Sequence, residues 1–170
     1  MDHQDLKNGF FLKSGYQNGL VGKITALHGK SYVEQFSFGK SFECKVGLEL
    51  SKFVGSYDTE FSEIWSIIKN DKILGSITID GSHAKQDGAH LRWFILDPKV
   101  KGMGFGAHLI KTALQFCREK KFTSAYLWTL ADLEPAGKIY KSYGFKLEEA
   151  MEGDQWGIKV QEERLRLHFK

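Results

Sequence analysis

Residues 89–107 read Ala89-His90-Leu91-Arg92-Trp93-Phe94-Ile95-Leu96-Asp97-Pro98-Lys99-Val100-Lys101-Gly102-Met103-Gly104-Phe105-Gly106-Ala107. The first eight form the most strand-like run in the chain, and Asp97-Pro98 stops it because proline has no N–H to continue a ladder. Residues 99–106 are rich in Gly and Lys. From 107 to 120 the apolar residues Ile110, Ala113, Leu114 and Cys117 then recur on one helical face. A glycine-rich turn between a strand and a helix lets backbone N–H groups approach an anion closely. The helix start adds the positive end of its dipole. By itself the loop fits two readings, a pyrophosphate cradle or a flexible strand-to-helix turn.

The loop does not match the common nucleotide motifs. No Gly-x-x-x-x-Gly-Lys-Ser/Thr occurs, which argues against a P-loop hydrolase. A dinucleotide fold wants Gly-x-Gly-x-x-Gly near the first strand, whereas Gly102, Gly104 and Gly106 lie late and at a different spacing.

On the N-terminal side, residues 61–69 and 72–80 carry Ile64, Ile67, Ile73, Ile77 and Ile79 around the tight-turn pair Asn70-Asp71, which predicts a hairpin. Before it, 9–13 predicts a first strand. Leu20, Val21, Ile24 and Leu27 predict a helix over 19–28 that Gly29 or its neighbours interrupt, and Val46, Leu50, Phe53 and Val54 predict a second over about 42–54. Residues 81–88 read as a polar loop. On the C-terminal side, 122–130 reads as a strand. Residues 135–143 read as a short helix opened by Pro135 and closed by Gly144, and 145–149 and 160–169 as final strands. This order predicts one α+β domain over 1–170 with a central mixed, mostly antiparallel sheet flanked by helices, two early and two late.

Composition narrows the function. The 170 residues suffice for one core, and 13 Phe supply much of its bulk. The net charge of +3 is dispersed, without the basic stripe of a nucleic-acid binder, so no direct nucleic-acid contact is expected. Arg118, Lys120 and Lys121 suit a helix C-terminus. No apolar run approaches the roughly 20 residues needed to cross a bilayer, so no membrane role is expected. Cys44 and Cys117 read as buried free thiols, and a cytoplasmic location follows as an expectation. No His/Cys/carboxylate cluster has ligand spacing, so no metal is expected.

A second motif lies downstream: Ala136-Gly137-Lys138-Ile139-Tyr140-Lys141-Ser142-Tyr143-Gly144-Phe145. Together, Leu96-Asp97-Pro98, Lys101-x-x-Gly104-x-Gly106 and the run from Ala136 to Phe145 resemble the GNAT superfamily of N-acetyltransferases in order and interval. Residues 89–98 and 127–129 further resemble the acetyltransferase halves fused to MarR-type regulators. The likeness is clear from about Ile64 onward and fainter before it.

The resemblance implies the GNAT fold and transfer of an acetyl group from acetyl-CoA to a primary amine by direct attack in a ternary complex. A small-molecule or peptide amine would be the acceptor, and a homodimer is common in the family. The strand before the glycine loop would splay from its neighbour, with the main chain of Phe94 and Leu96 on the cofactor. Lys101, Gly102, Met103, Gly104, Phe105, Gly106 and Ala107 would bind the pyrophosphate, and Ala136 and Tyr143 would border it. Tyr140 matches the tyrosine that protonates the leaving thiolate in many members, although it also reads as an aromatic packed on a short helix. A phenol of reference pKa about 10 suits a thiolate of about 8.5.

His90 falls where many relatives carry a glutamate that accepts the amine proton, and a histidine near its usual pKa of about 6.5 suits that task. Strand alternation places His90, Arg92 and Phe94 on one face. Tyr32, Glu34 and Trp156 are candidates to line the amine site, with surface packing as the other reading. Lys101 departs from the usual Arg or Gln, and Leu133 stands where many relatives carry an Asn on the cofactor. A non-catalytic acyl-CoA sensor or a regulatory interaction module is the alternative function.

Overall fold

A computed structural model describes residues 3–156 and 158–170. Eight strands form one sheet in the order β1-β2-β3-β4-β5-β6-β8-β7. They are β1 (His3–Lys7), β2 (Phe10–Ser14), β3 (Glu63–Lys69), β4 (Lys72–Asp80), β5 (Ala89–Leu96), β6 (Ser124–Leu130), β7 (Lys146–Gly153) and β8 (Val160–His168). Only β5 and β6 pair in parallel; the other neighbours are antiparallel. Asn70 and Asp71 both take positive φ (49° and 57°), the primed-turn geometry that lets β3 and β4 keep their twist.

Helices α1 (Leu20–Phe36) and α2 (Lys40–Ser56) cover one face of the sheet, and α4 (Phe105–Glu119) covers the other. The short α3 (Ala84–Asp87) occupies part of the stretch expected to be loop, and α5 (Glu134–Ser142) follows β6. Two separate apolar clusters result. Ile77, Leu91, Leu109, Ile110 and Leu127 belong to the α4 side, and Leu20, Ile24, Phe38, Leu50 and Ile64 to the α1/α2 side.

Three expectations are corrected. Gly29 does not interrupt α1, which runs eight residues past His28 to Phe36. A Cβ at Gly29 would meet Glu43 Oε2 at 2.9 Å, so the missing side chain leaves room for the Glu43 carboxylate of α2 to lie against α1. Cys44 is exposed, and only Cys117 is a buried thiol.

The third correction concerns β5. Trp93 takes φ 45°, and where β4 advances two residues from Ser76 to Thr78, β5 advances three, from Ile95 to Arg92. This bulge slips the alternation by one residue. Ala89 and Leu91 face the α4 cluster before it and Phe94 and Leu96 after it, while Trp93 and Ile95 join the α1/α2 cluster. His90 and Arg92 therefore do not share a face with Phe94.

Candidate active site

The β5–β6 ladder holds only at Ala89↔Ala125 and His90↔Tyr126. Beyond that point the two strands part, and the main chain of 93–96 leaves its parallel neighbour. The bulge at Trp93 lies where the parting begins.

One end of this split is the glycine loop. Asp97 accepts from Lys99 N at 3.0 Å and opens a 3-10 turn over Pro98–Val100. Gly102 (φ 80°) and Gly104 (φ 85°) follow in the left-handed region, with nothing within 4 Å of where a Cβ would stand. Gly104 caps α4, whose first turn carries no acidic residue and no side-chain cap, so a positive dipole stands behind N–H groups that no side chain has claimed. Phe105 buries its ring against Phe10, with centroids 4.8 Å apart, and anchors the helix start on β2. Gly106 packs against Phe94 and Leu96, and Ala136 packs on the same core. The Tyr143 hydroxyl donates to Ala107 O at 3.0 Å. Met103 is half exposed at 48% and Lys101 is exposed.

The other end is a cavity of about 360 Å³. Of the residues singled out in the sequence, Tyr32, His90, Phe94, Tyr140 and Trp156 line it. Glu34 does not: it sits exposed on α1, 3.9 Å from Lys30. Tyr140 is buried between Phe94 and Phe145, each 6.0 Å away by ring centroid. Burial, with Tyr32 nearby, pushes its phenol far above the usual range, so it stays protonated. The Tyr32 phenol is likewise pushed up to about 12 by burial.

His90 differs from the expected near-neutral histidine. It stacks on Tyr126 at 4.4 Å, and burial, with the Arg92 charge beside it, pushes its pKa down to about 3. It is a neutral ring of very low basicity. Arg92 itself is held by Glu49 at 2.5 Å and Asp80 at 3.5 Å, with its guanidinium over the Trp93 ring.

Several lining residues had not been singled out. His28 bonds through Nδ1 to Ile24 O at 2.9 Å. Because a carbonyl only accepts, Nδ1 carries the hydrogen and Nε2 is left as an acceptor; burial lowers the pKa to about 4. Lys45, Gln155 and Glu162 also line the cavity, and the Gln155 amide donates to both Glu162 oxygens (2.9 and 2.7 Å). His28 was legible in the i, i+4 series Ile24, His28, Tyr32, Phe36 once Gly29 is allowed inside the helix. Glu162 was legible in the alternation of Glu162, Arg164 and Arg166 against Leu165 and Leu167 in β8.

Comparison with known proteins bears on the fold and the family. An acetyltransferase from Streptococcus agalactiae superposes with a TM-score of 0.75 at 20% identity, covering 96% of this chain and 100% of that one. YncA from Salmonella typhimurium, solved with its cofactor acetyl-CoA, gives 0.74 at 11% identity, covering 96% and 95%. At these identities the likeness concerns the fold. An uncharacterized N-acetyltransferase of Schizosaccharomyces pombe is 38% identical over 52 residues, 31% of this chain and 32% of that protein. The matches span only 32% and 39% of the curated relatives found. The sequence model of the Acetyltransferase (GNAT) family matches residues 24–145, well over half of the chain. The glycine loop, the split strands and Tyr140 thus occur in a chain that belongs to the Acetyltransferase (GNAT) family.

Proposed function

We propose that this chain transfers an acetyl group from acetyl-CoA to a primary amine by direct attack within a ternary complex. The observation that carries this is the parting of β5 and β6, which joins an anion-ready loop to a cavity lined by a protonated tyrosine. The likeness of 89–98 and 127–129 to acetyltransferase halves of MarR-type fusions supports the same reading. The free thiols Cys44 and Cys117 suit a reducing compartment such as the cytoplasm.

The residues present fit the cofactor. Gly102 and Gly104 leave space that any side chain would fill, and α4 brings no acidic side chain in its first turn to repel a pyrophosphate. Thr129, on the parted strand β6 and lining the cavity, has a buried hydroxyl without a hydrogen-bond partner among the described residues, which suits an amide of the pantetheine arm. When bound, acetyl-CoA supplies a thioester whose carbonyl carbon accepts the amine. Lys101, Gly102, Met103, Gly104, Phe105, Gly106 and Ala107 would hold the pyrophosphate, and Ala136 and Tyr143 would border the cofactor. The main chain of Phe94 and Leu96 would hold the arm and polarise the carbonyl.

With acetyl-CoA bound, Tyr140 would supply the proton that the departing sulfur takes and would regain one from solvent, while the amine would release one to water or a nearby carboxylate. His90, with its depressed pKa, serves this base role poorly and orders the wall instead. An acyl-enzyme route is disfavoured, because burial pushes the Cys117 thiol up to about 12 and it faces the core of α4.

Titration calorimetry with acetyl-CoA and with free coenzyme A tests this, beside thiol release across an amine panel. Micromolar binding that weakens in Lys101→Glu, together with amine-dependent release, is the expected result. Binding without release from any amine would leave the acyl-CoA sensor. No binding of either ligand to folded protein would overturn both readings.

A further inference from the structure

The cavity wall is electrically balanced. Its charged lining residues are Lys45 and Arg92 against Glu49 and Glu162. Arg92 and Glu49 satisfy each other at 2.5 Å. Among the described residues, Lys45 and Glu162 have no ionic partner, and Glu162 is buried to 4% exposure. They do not touch. A single neutral amide spans them: Gln155 Oε1 accepts from Lys45 Nζ, and Gln155 Nε2 donates to both oxygens of Glu162. Beside this bridge stands a wall of rings, with Tyr32 stacked on Phe42 at 4.6 Å and Trp156 edge-on to Phe42 at 5.2 Å.

We propose that the acceptor is a small α-amino acid with an apolar side chain, its carboxylate on Lys45, its ammonium on Glu162 and its side chain against Tyr32, Phe42 and Trp156. The assignment deepens the acetyl-transfer reading and rests on it for the fate of the amine, though not for binding. Gln155 presents an acceptor to the cation and a donor to the anion. A zwitterion presents the same pair at full charge, so each contact becomes an ion pair as well as a hydrogen bond. Gln155 lies exposed in the β7–β8 connection, where its side chain can yield.

Other amine classes match this wall less well. A polyamine needs a surplus of carboxylates, and the lining has none. An arylalkylamine, a lysine side chain in a protein or a peptide N-terminus brings no α-carboxylate and leaves Lys45 with only the Gln155 amide and the Trp156 ring, 4.5 Å from its Nζ. The size agrees as well, since about 360 Å³ is at the small end of ligand sites. On transfer, the α-nitrogen gains the acetyl carbon and loses its charge. One proton leaves through Glu162 to water and the sulfur ends protonated, so the amide product no longer pairs with Glu162.

The test is calorimetric titration of L-phenylalanine, L-leucine, phenethylamine and L-phenylalanine methyl ester into the full chain with coenzyme A present, alongside thiol release from acetyl-CoA with each. Both amino acids should bind. The amine and the ester should bind at least about tenfold more weakly, the loss expected for one charged hydrogen bond. Lys45→Met, at a half-exposed position, should erase the difference between phenylalanine and phenethylamine, and Glu162→Gln should weaken all four. The assignment is overturned if phenethylamine or the ester binds as well as phenylalanine. It is equally overturned if Lys45→Met leaves the preference intact, or if neither amino acid binds to protein that still binds coenzyme A. Lys45-dependent binding of the amino acids without thiol release would sink acetyl transfer and leave the binding assignment standing.

Discussion

The hydroxyl of Tyr143 donates to the main-chain carbonyl of Ala107 at 3.0 Å, so the short helix that carries Tyr140 is fastened to the first turn of the helix that opens at the glycine loop. The two motifs that are 36 residues apart in sequence are thereby one mechanical unit. Tyr143→Phe removes that fastening and leaves the ring packing. It should lower stability by about 1 kcal/mol or less, the usual net value of one hydrogen bond. The same change should raise KM for acetyl-CoA with a smaller change in kcat, as urea unfolding and steady-state thiol release would show. Unchanged cofactor affinity would mean that α5 holds its place through packing alone.

Gly104→Ala separates backbone strain from ligand space. At φ 85° an L-residue costs about 1–2 kcal/mol, while its new methyl meets nothing in the protein. The chain should therefore fold with a modest loss of stability. Coenzyme A affinity should fall more than the strain alone explains, because the methyl enters the space where the pyrophosphate would lie. Calorimetry on the variant and on Gly137→Ala decides this. Gly137 lies inside α5 with open space around it, and alanine there is a better helix former.

Much of this was legible in the sequence because the signals were local. The hairpin was written in Asn70-Asp71 and its flanking isoleucines, and the strand–loop–helix unit in Pro98, the three glycines and the apolar stripe of α4. What escaped depended on contacts between distant residues. Gly29 reads as a breaker until Glu43 of α2 is seen against it. The bulge at Trp93 is invisible in a run that alternates well on paper, yet it decides which face Phe94 takes. The pairing of Lys45 with Glu162 through Gln155 brings together residues more than 100 positions apart, which no period in the sequence reports.

Tyr140 and Tyr32 predict how stability behaves in alkali. Both phenols are held neutral by burial, Tyr32 up to about 12 and Tyr140 further still, whereas unfolded tyrosine ionises near 10. Above pH 10 the unfolded chain binds fewer protons than the folded one, so stability falls as pH rises. Below pH 10 these groups contribute no slope. Urea unfolding between pH 9 and pH 11 should show the fall, and Tyr140→Phe should flatten it. The same variant should lose most of its kcat and keep its affinity for coenzyme A. Full turnover in Tyr140→Phe would remove the phenol from the chemistry.

The buried histidines predict the opposite limb. His28 and His90 are neutral in the fold, with pKa values pushed down to about 4 and about 3 by burial, against about 6.5 when unfolded. Stability from keeping them neutral is fully present above pH 6.5. It is lost as pH falls toward 4 for His28 and toward 3 for His90, because there the unfolded chain takes up protons that the folded one refuses. At about 1.4 kcal/mol per pKa unit, the two rings together withdraw several kcal/mol, enough to bring unfolding within reach of mild acid. His28→Gln and His90→Gln should each lower stability at pH 7.5 and reduce its slope between pH 6.5 and pH 4.5. A kinetic limb near pH 6.5 that survives in His90→Gln would belong to another group. One that disappears, with stability at pH 7.5 intact, would restore His90 as the base.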